Sequence, residues 1–420
     1  MNLSPLAITE IPSRIKTFTR TRTADFWLFE ASIWLYMFAG SLISLFIPIL
    51  LLSNGFTLSD VLLFYVFFHA LNIPANYLGR SIVRRYGARV TIILGTLLSI
   101  VFFVMYSTVT TWPQLLLLAF FYAVFDGLYY TASNYLFIGS TKDPENSGQN
   151  TGILHLVMRS AWLLGPIFGS ILVLTSGGSR AVIVTASILF FIFSLIPLFF
   201  LKQIPVKPEH TPLSFKEFFN NKREVKNHLS MGLYKIVAAV EYIVFPIFIY
   251  LTFENLSSVA ILAVLLPFVS LVFSYAASHI KRGQRENVIM LGAVLLAAVW
   301  IARIFIDSQI GLYLSTVFAG LFMLFILIPL EGNIFRRGVE RGALSAAMFK
   351  NVAGMFFKLG LYLVLYIMVL IAEDVFVVST FSFIFAACSL IILFMINRNY
   401  LQWRKNQPGQ QTSVIGLPRE

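Results

Sequence analysis

The chain holds a single cysteine, Cys388, in 420 residues. One thiol excludes an intramolecular disulfide framework and any multi-cysteine metal site. Charge is scarce too: 31 Lys and Arg with 19 Asp and Glu make up 12% of the chain, where a soluble domain carries roughly a quarter. Several chemistry-bearing patterns are missing. No Gly-x4-Gly-Lys-Ser/Thr loop occurs, which argues against ATP hydrolysis, and no His-Glu-x-x-His or Asp-x-Asp cluster marks a membrane-embedded enzyme. No cofactor or metal is expected. The first 25 residues carry Arg14, Lys16, Arg20 and Arg22 without an apolar core, so no cleavable signal peptide is expected.

What the chain has instead is apolar surface. It is 58% hydrophobic and holds 42 Phe and 17 Tyr, more than one soluble core can hide. Twelve membrane helices of about 20 residues need about 240 apolar positions, close to what 58% of the chain supplies. Apolar runs between charge and turn clusters place candidate helices at 26–52, 58–79, 88–107, 111–138, 151–175 and 180–201, then at 228–252, 256–279, 287–306, 309–331, 343–371 and 375–396. The Pro-rich and charged stretch 202–227 separates two sets of six as a linker, flanked by tails at 1–25 and 397–420.

The net charge of +12 does not point to nucleic acid, because the basic residues alternate with the spans. Twenty-five of the 31 fall in the two tails, in 202–227 and in the loops after the second, fourth, eighth and tenth spans. The opposite loops hold Arg180, Arg303 at a helix end, and the acids Glu254, Asp307, Glu373 and Asp374. By the positive-inside rule both termini are expected to be cytoplasmic, and the compactness of the chain suggests a bacterial plasma membrane.

Two local sequences carry a resemblance. The loop after the second span reads Gly79-Arg-Ser-Ile-Val-Arg84-Arg85-Tyr-Gly87-Ala-Arg89, and the corresponding place in the second half reads Lys281-Arg282-Gly283-Gln-Arg285. With the six-plus-six layout this resembles the major facilitator superfamily. The resemblance implies an all-α membrane protein, twelve transmembrane helices in two pseudo-symmetric six-helix bundles, and cytoplasmic gating loops at these residues. The family's acidic loop position falls on Arg84 or Val83 here, so its charge lock lacks the acid. In the fifth span, Gly165-Pro-Ile-Phe-Gly169 resembles an element of the family's antiporters, and also reads as plain helix packing.

Ionisable groups at mid-membrane cost about 3 kcal/mol each, so those present should face one another or water. Asp126, Arg159, Lys235, Glu241, Lys350 and Lys358 all fall inside spans. Helical spacing aligns Tyr65, His69, Asn72 and Asn76; Asp126, Tyr130 and Asn134; His155 and Arg159; Ser270, Ser274 and Ser278; and Asn351 with Lys358. Substrate contacts are expected from Arg159, Lys358, Lys350, Tyr65, His69, Asn72, Tyr130, Asn134 and Asn351, and proton coupling from Asp126, Glu241 and His155. Structural alternatives stand beside these: an Asp126–Arg159 ion pair, snorkelling of Lys350, and a hydrogen-bonding role for His69. Glu30 and Glu331 sit near predicted helix ends and read as solvated gating contacts.

Four deep cations against two anions favour an anionic substrate. The expected function is secondary transport of a small organic anion by alternating access, coupled to a proton, with lipid as the other partner. The competing readings are multidrug or lipid export on the same fold, a transporter-like sensor, and a membrane-embedded enzyme. Oligomeric state is left open.

Overall fold

The structure is a computed structural model and describes residues 24–43, 47–140, 147–175, 180–202, 213–254, 256–278, 280, 282–372 and 374–406. The first span, α1, comprises Ala24–Ser41 and Ile47–Ser53. It is followed by α2 (Leu58–Tyr86), α3 (Ala88–Tyr106), α4 (Trp112–Ser140), α5 (Ser147–Thr175) and α6 (Arg180–Phe200). The second set is α7 (Lys222–Phe253), α8 (Leu256–Ser278), α9 (Arg285–Arg303), α10 (Gln309–Arg341), α11 (Ala343–Ala372) and α12 (Val375–Lys405). Ten of these are long and apolar enough to cross a membrane, and α1 with the apolar Ser258–Ser274 stretch of α8 complete twelve. The fold is all-α, and exposed Phe, Leu and Ile side chains cover its outer surface, where lipid replaces water.

Several helices outrun their apolar stretches. α7 starts at Lys222 rather than 228, with the Asn221 side chain accepting from the Arg223 N–H at 2.9 Å. α10 continues to Arg341 rather than 331, and α12 to Lys405 rather than 396. Hydropathy locates lipid, whereas a helix continues wherever its backbone bonds and side-chain pairs are met. Arg337, for instance, pairs with Glu224 of α7 at 2.7 Å and with Glu340 at 2.6 Å.

Glycine sets the tightest points. Gly87 alone joins α2 to α3, at φ 87°, and Gly342 alone joins α10 to α11, at φ 154°; other residues would be strained there. Small residues also bring α2 against α4. A Cβ added at Gly127 would fall 2.8 Å from Ala75 Cβ, and one at Gly79 would fall 3.1 Å from the Gly127 carbonyl oxygen. Gly79, expected in a gating loop, lies inside α2 and serves this packing. Gly165 presses on Ser41 and Gly169 on Leu42, so both glycines of the α5 element seat α5 against α1.

Across the molecule the packing repeats as a pseudo-twofold: α2 meets α11 as α8 meets α5, and α4 meets α11 as α10 meets α5. These four are the largest contacts between the two bundles.

Gly127→Ala is expected to lower stability by about 1–3 kcal/mol through overpacking. Gly40→Ala, where nothing lies within 4 Å of the added carbon, should be neutral or mildly stabilising. Thermal unfolding of the purified protein in detergent separates the two outcomes.

Candidate functional site

Where the bundles meet, a cavity of about 280 Å³ is lined by α1, α4, α5, α7, α10 and α11. Its charged wall consists of Arg159, Lys235, Lys350, Lys358, Asp126 and Glu331, with His155 beside them. Helical spacing accounts for much of this. His155 and Arg159 are one turn apart on α5, while Lys350, Asn351, Gly354 and Lys358 share one face of α11. Gly354 leaves room for the Lys235 side chain, whose Cγ would lie 3.1 Å from an added Cβ.

Part of the charge is neutralised in place. Glu331 of α10 accepts from Lys350 Nζ at 2.7 Å and from His155 Nε2 at 2.7 Å, joining α5, α10 and α11. Lys350 also donates to Asn134 Oδ1 at 3.4 Å, and Asn134 donates to Asn351 at 3.2 Å. This network closes the cavity toward the end of the molecule where α1 begins and α12 ends. Ser147 donating to the Gly332 carbonyl at 3.1 Å and Phe137 packed against Phe335 add further cross-bundle contacts on that side.

The rest of the positive charge is left over. Among the described residues no carboxylate lies within 4 Å of Arg159, Lys235 or Lys358. The Arg159 guanidinium lies over the rings of Trp162 and Tyr242, at 5.2 Å and 5.5 Å. Arg159 is 7% exposed, and its Nη1 has no hydrogen-bond partner among the described residues.

Asp126 does not pair with Arg159. The close approach of α2 to α4 gives it Asn72 instead. Thr131 donates to Asn76 at 2.7 Å, Asn76 to Asn72 at 2.6 Å, and Asn72 to Asp126 at 2.9 Å. Every donor in this chain points toward the carboxylate.

A second lobe of about 260 Å³ adjoins the first and is mostly aromatic and aliphatic. Tyr130 lines both lobes, and Tyr65 lines the second. His69 and Asn72 line neither. His69 Nδ1 lies 3.2 Å from Met355 Sδ and its ring stacks on Tyr362, so His69 belongs to the α2–α11 contact, and Asn72 to the Asp126 network.

Glu241 also departs from expectation. It sits in a π-turn of α7 (Val240–Val244) and is clasped by Arg303 of α9 at 2.6 Å and 3.0 Å. Arg303 donates as well to Ser315 and Thr316, and its guanidinium packs on the rings of Phe245 and Trp300. Rather than an isolated acid and a loop arginine, the two form one buried pair, because neither charge is tolerable alone in an apolar bundle.

Among the expected gating residues, Arg84 and Arg85 are exposed and Arg89 is half-buried. Gly283 has open space around it. Lys281 and the side chains of Arg282 and Ser278 lie outside the described residues. Arg285 is buried, donates to Asn333 at 3.3 Å and fills the space beside Gly148 of α5. Arg80, not singled out from sequence, reaches Ser345 of α11 at 3.4 Å.

Sequence reasoning counted Lys235 among the deep cations without giving it a contact, read Glu331 as a solvated helix-end group, and left Trp162 and Tyr242 out of the site. Glu331 was misplaced because apolarity fades there although the helix continues. Trp162 was legible as the i+3 neighbour of Arg159.

Glu241→Gln is expected to destabilise the fold by about 3–5 kcal/mol, since it leaves Arg303 buried without its counter-charge. The double change Glu241→Leu with Arg303→Met should recover most of that loss. Thermal unfolding of both variants measures it.

The family model described as Major Facilitator Superfamily matches residues 31–349. No curated protein sequence matches the chain. Among solved structures, the human organic anion transporter MFSD10 (TETRAN) is similar at a TM-score of 0.70 and 13% identity, covering 90% of this chain and 100% of that one. A bacterial homologue of the iron transporter ferroportin in its outward-facing state is similar at 0.68 and 12%, covering 90% and 100%. The E. coli fucose:proton symporter FucP is similar at 0.64 and 13%, covering 89% and 98%.

Proposed function

Because the chain belongs to the major facilitator superfamily and is an integral membrane transporter, we propose that its cargo is a small organic anion, moved by alternating access with a coupled proton. The observation that carries this reading is the buried Nη1 of Arg159, which among the described residues lacks a hydrogen-bond partner, in a cavity where Lys235 and Lys358 likewise have no described carboxylate within 4 Å. A bound anion would satisfy all three. Breaking the cavity-closing contacts of Glu331, Lys350 and His155 would let the α1–α6 and α7–α12 bundles, joined through 202–227, rock apart on that side. The distribution of basic residues supports cytoplasmic termini, with that side inside the cell.

Asp126 is the proton-carrying group in this reading. It faces the same cavity as the three cations and, among the described residues, accepts only from the Asn72 amide. Like charges repel in a confined cavity, so an ionised Asp126 competes with a bound anion for the three cations. A proton on Asp126 removes that repulsion, and anion and proton load together. Glu241, held by Arg303, takes no part.

In proteoliposomes, Arg159→Ala is expected to weaken uptake of the carried anion about 10- to 100-fold, the range for losing a charge-assisted hydrogen bond, with Lys358→Ala in the same direction. Uptake of normal affinity in folded Arg159→Ala would overturn the reading.

Asp126→Asn is expected to abolish accumulation driven by a pH gradient while anion exchange persists. The comparison of gradient-driven uptake with counterflow tests this directly. Accumulation that still follows the gradient would move proton coupling elsewhere.

A further inference from the structure

The charged cavity does not end at Asp126. Met37, Asp126, Tyr130, Trp162, Tyr242 and Ile243 line both it and the second lobe, so the two spaces share one wall. The lobes differ sharply in chemistry. On one side stand Arg159, Lys235, Lys350 and Lys358. On the other, behind the shared wall, stand residues such as Tyr65, Phe102, Phe125, Phe191, Leu262 and Leu266, with no Lys or Arg in the lining. The hydroxyl of Tyr36 in this lobe is engaged by Ser99 at 3.0 Å.

Arg159 marks the junction. Its guanidinium lies against Trp162 and Tyr242, two of the three rings that line both lobes. A ligand held by that guanidinium has its apolar part directed along aromatic faces into the second lobe. Size sets a limit. An apolar protein cavity of roughly 150 Å³ accommodates benzene. A lobe of about 260 Å³ therefore takes a two-ring body or an alkyl chain of about eight carbons, on the same scale.

We propose that the cargo is an amphipathic organic anion: an acidic head held by Arg159, Lys235 and Lys358, and an apolar body of up to about eight carbons housed in the aromatic lobe. This rests on the anion reading above and narrows it. A hydrophilic anion such as a short dicarboxylate leaves the aromatic lobe unused, whereas a head-and-tail molecule matches both lobes at once. Specificity then divides between them, the head selecting charge and the tail selecting length.

The test uses linear alkanesulfonates, which stay ionised at every working pH, with chains from two to twelve carbons, titrated calorimetrically into the protein in lipid nanodiscs with empty nanodiscs as blank. Affinity is expected to rise about fourfold per methylene and to level off near eight carbons. Ala263→Phe, which adds a ring to the lining of the aromatic lobe, should move that levelling to shorter chains while leaving ethanesulfonate binding unchanged. Leu266→Trp serves as a second filling variant should the first fail to fold. Arg159→Ala should lose binding at every length. Short sulfonates that bind with an affinity independent of length would overturn the amphipathic proposal and leave the anion site standing. No sulfonate binding at any length, or equal binding of alkyltrimethylammonium ions, would overturn the anion reading and this proposal with it.

Discussion

A charge placed within the lipid span has to be met by something, because neither lipid nor an apolar bundle solvates it. That constraint organises this molecule. It draws Arg303 inward onto Glu241, with Ser315 and Thr316 completing its donors and two aromatic rings covering its faces. It also joins Glu331 to Lys350 and His155 across the bundle boundary. Once these demands are met, the cations deep in the span that have no carboxylate within 4 Å among the described residues are Arg159, Lys235 and Lys358, and all three line the cavity. Charge that the fold does not neutralise is charge available to a cargo. The same constraint separates charges paired within the fold from charges left facing the cavity, without reference to which residues look unusual in sequence.

Close backbone packing is what delivers the right partner to each charge. Gly79, Gly127 and Ala75 let α2 and α4 approach until Asn72 reaches Asp126. With a bulkier contact there, the amide would be withdrawn from the carboxylate. Gly354 does the same for Lys235, whose stem crosses α11 at the one position on that face without a side chain. Small residues in a membrane bundle set distances between polar groups several residues away, and their effect on the site is indirect but large.

The cross-bundle contacts divide by chemistry along the molecule. Toward the side where α1 begins, they are mostly polar and ionic: Glu331 with His155, Lys350 with Asn134, Ser147 with Gly332, and Arg285 beside Gly148, with the Phe137–Phe335 ring pair among them. Between α2 and α11 they become stacked rings, with Tyr362 against both Tyr65 and His69. Polar pairs exchange readily for water when a cavity opens, while stacked rings tolerate sliding with little change in buried area. The distribution suits two bundles that separate on one side while pivoting on the other.

Much of the architecture was legible in the chain itself. Apolar runs of membrane length, their number and the division of basic residues among the loops identify twelve helices in two halves, because lipid imposes the same length and polarity on every span. Helical periodicity also placed Arg159, Lys350 and Lys358 among the groups that line the cavity, since position on one helix face is a local property. Partnership between helices is not local, and there the structure decided. That Asp126 takes Asn72 rather than Arg159, that Arg303 turns inward to Glu241, and that Glu331 lies buried in the closing network rather than at a wet helix end all follow from which backbones come close. Hydropathy reports where a residue meets lipid. Which charge faces which is fixed only when glycine contacts and crossing helices bring residues far apart in sequence within hydrogen-bond reach.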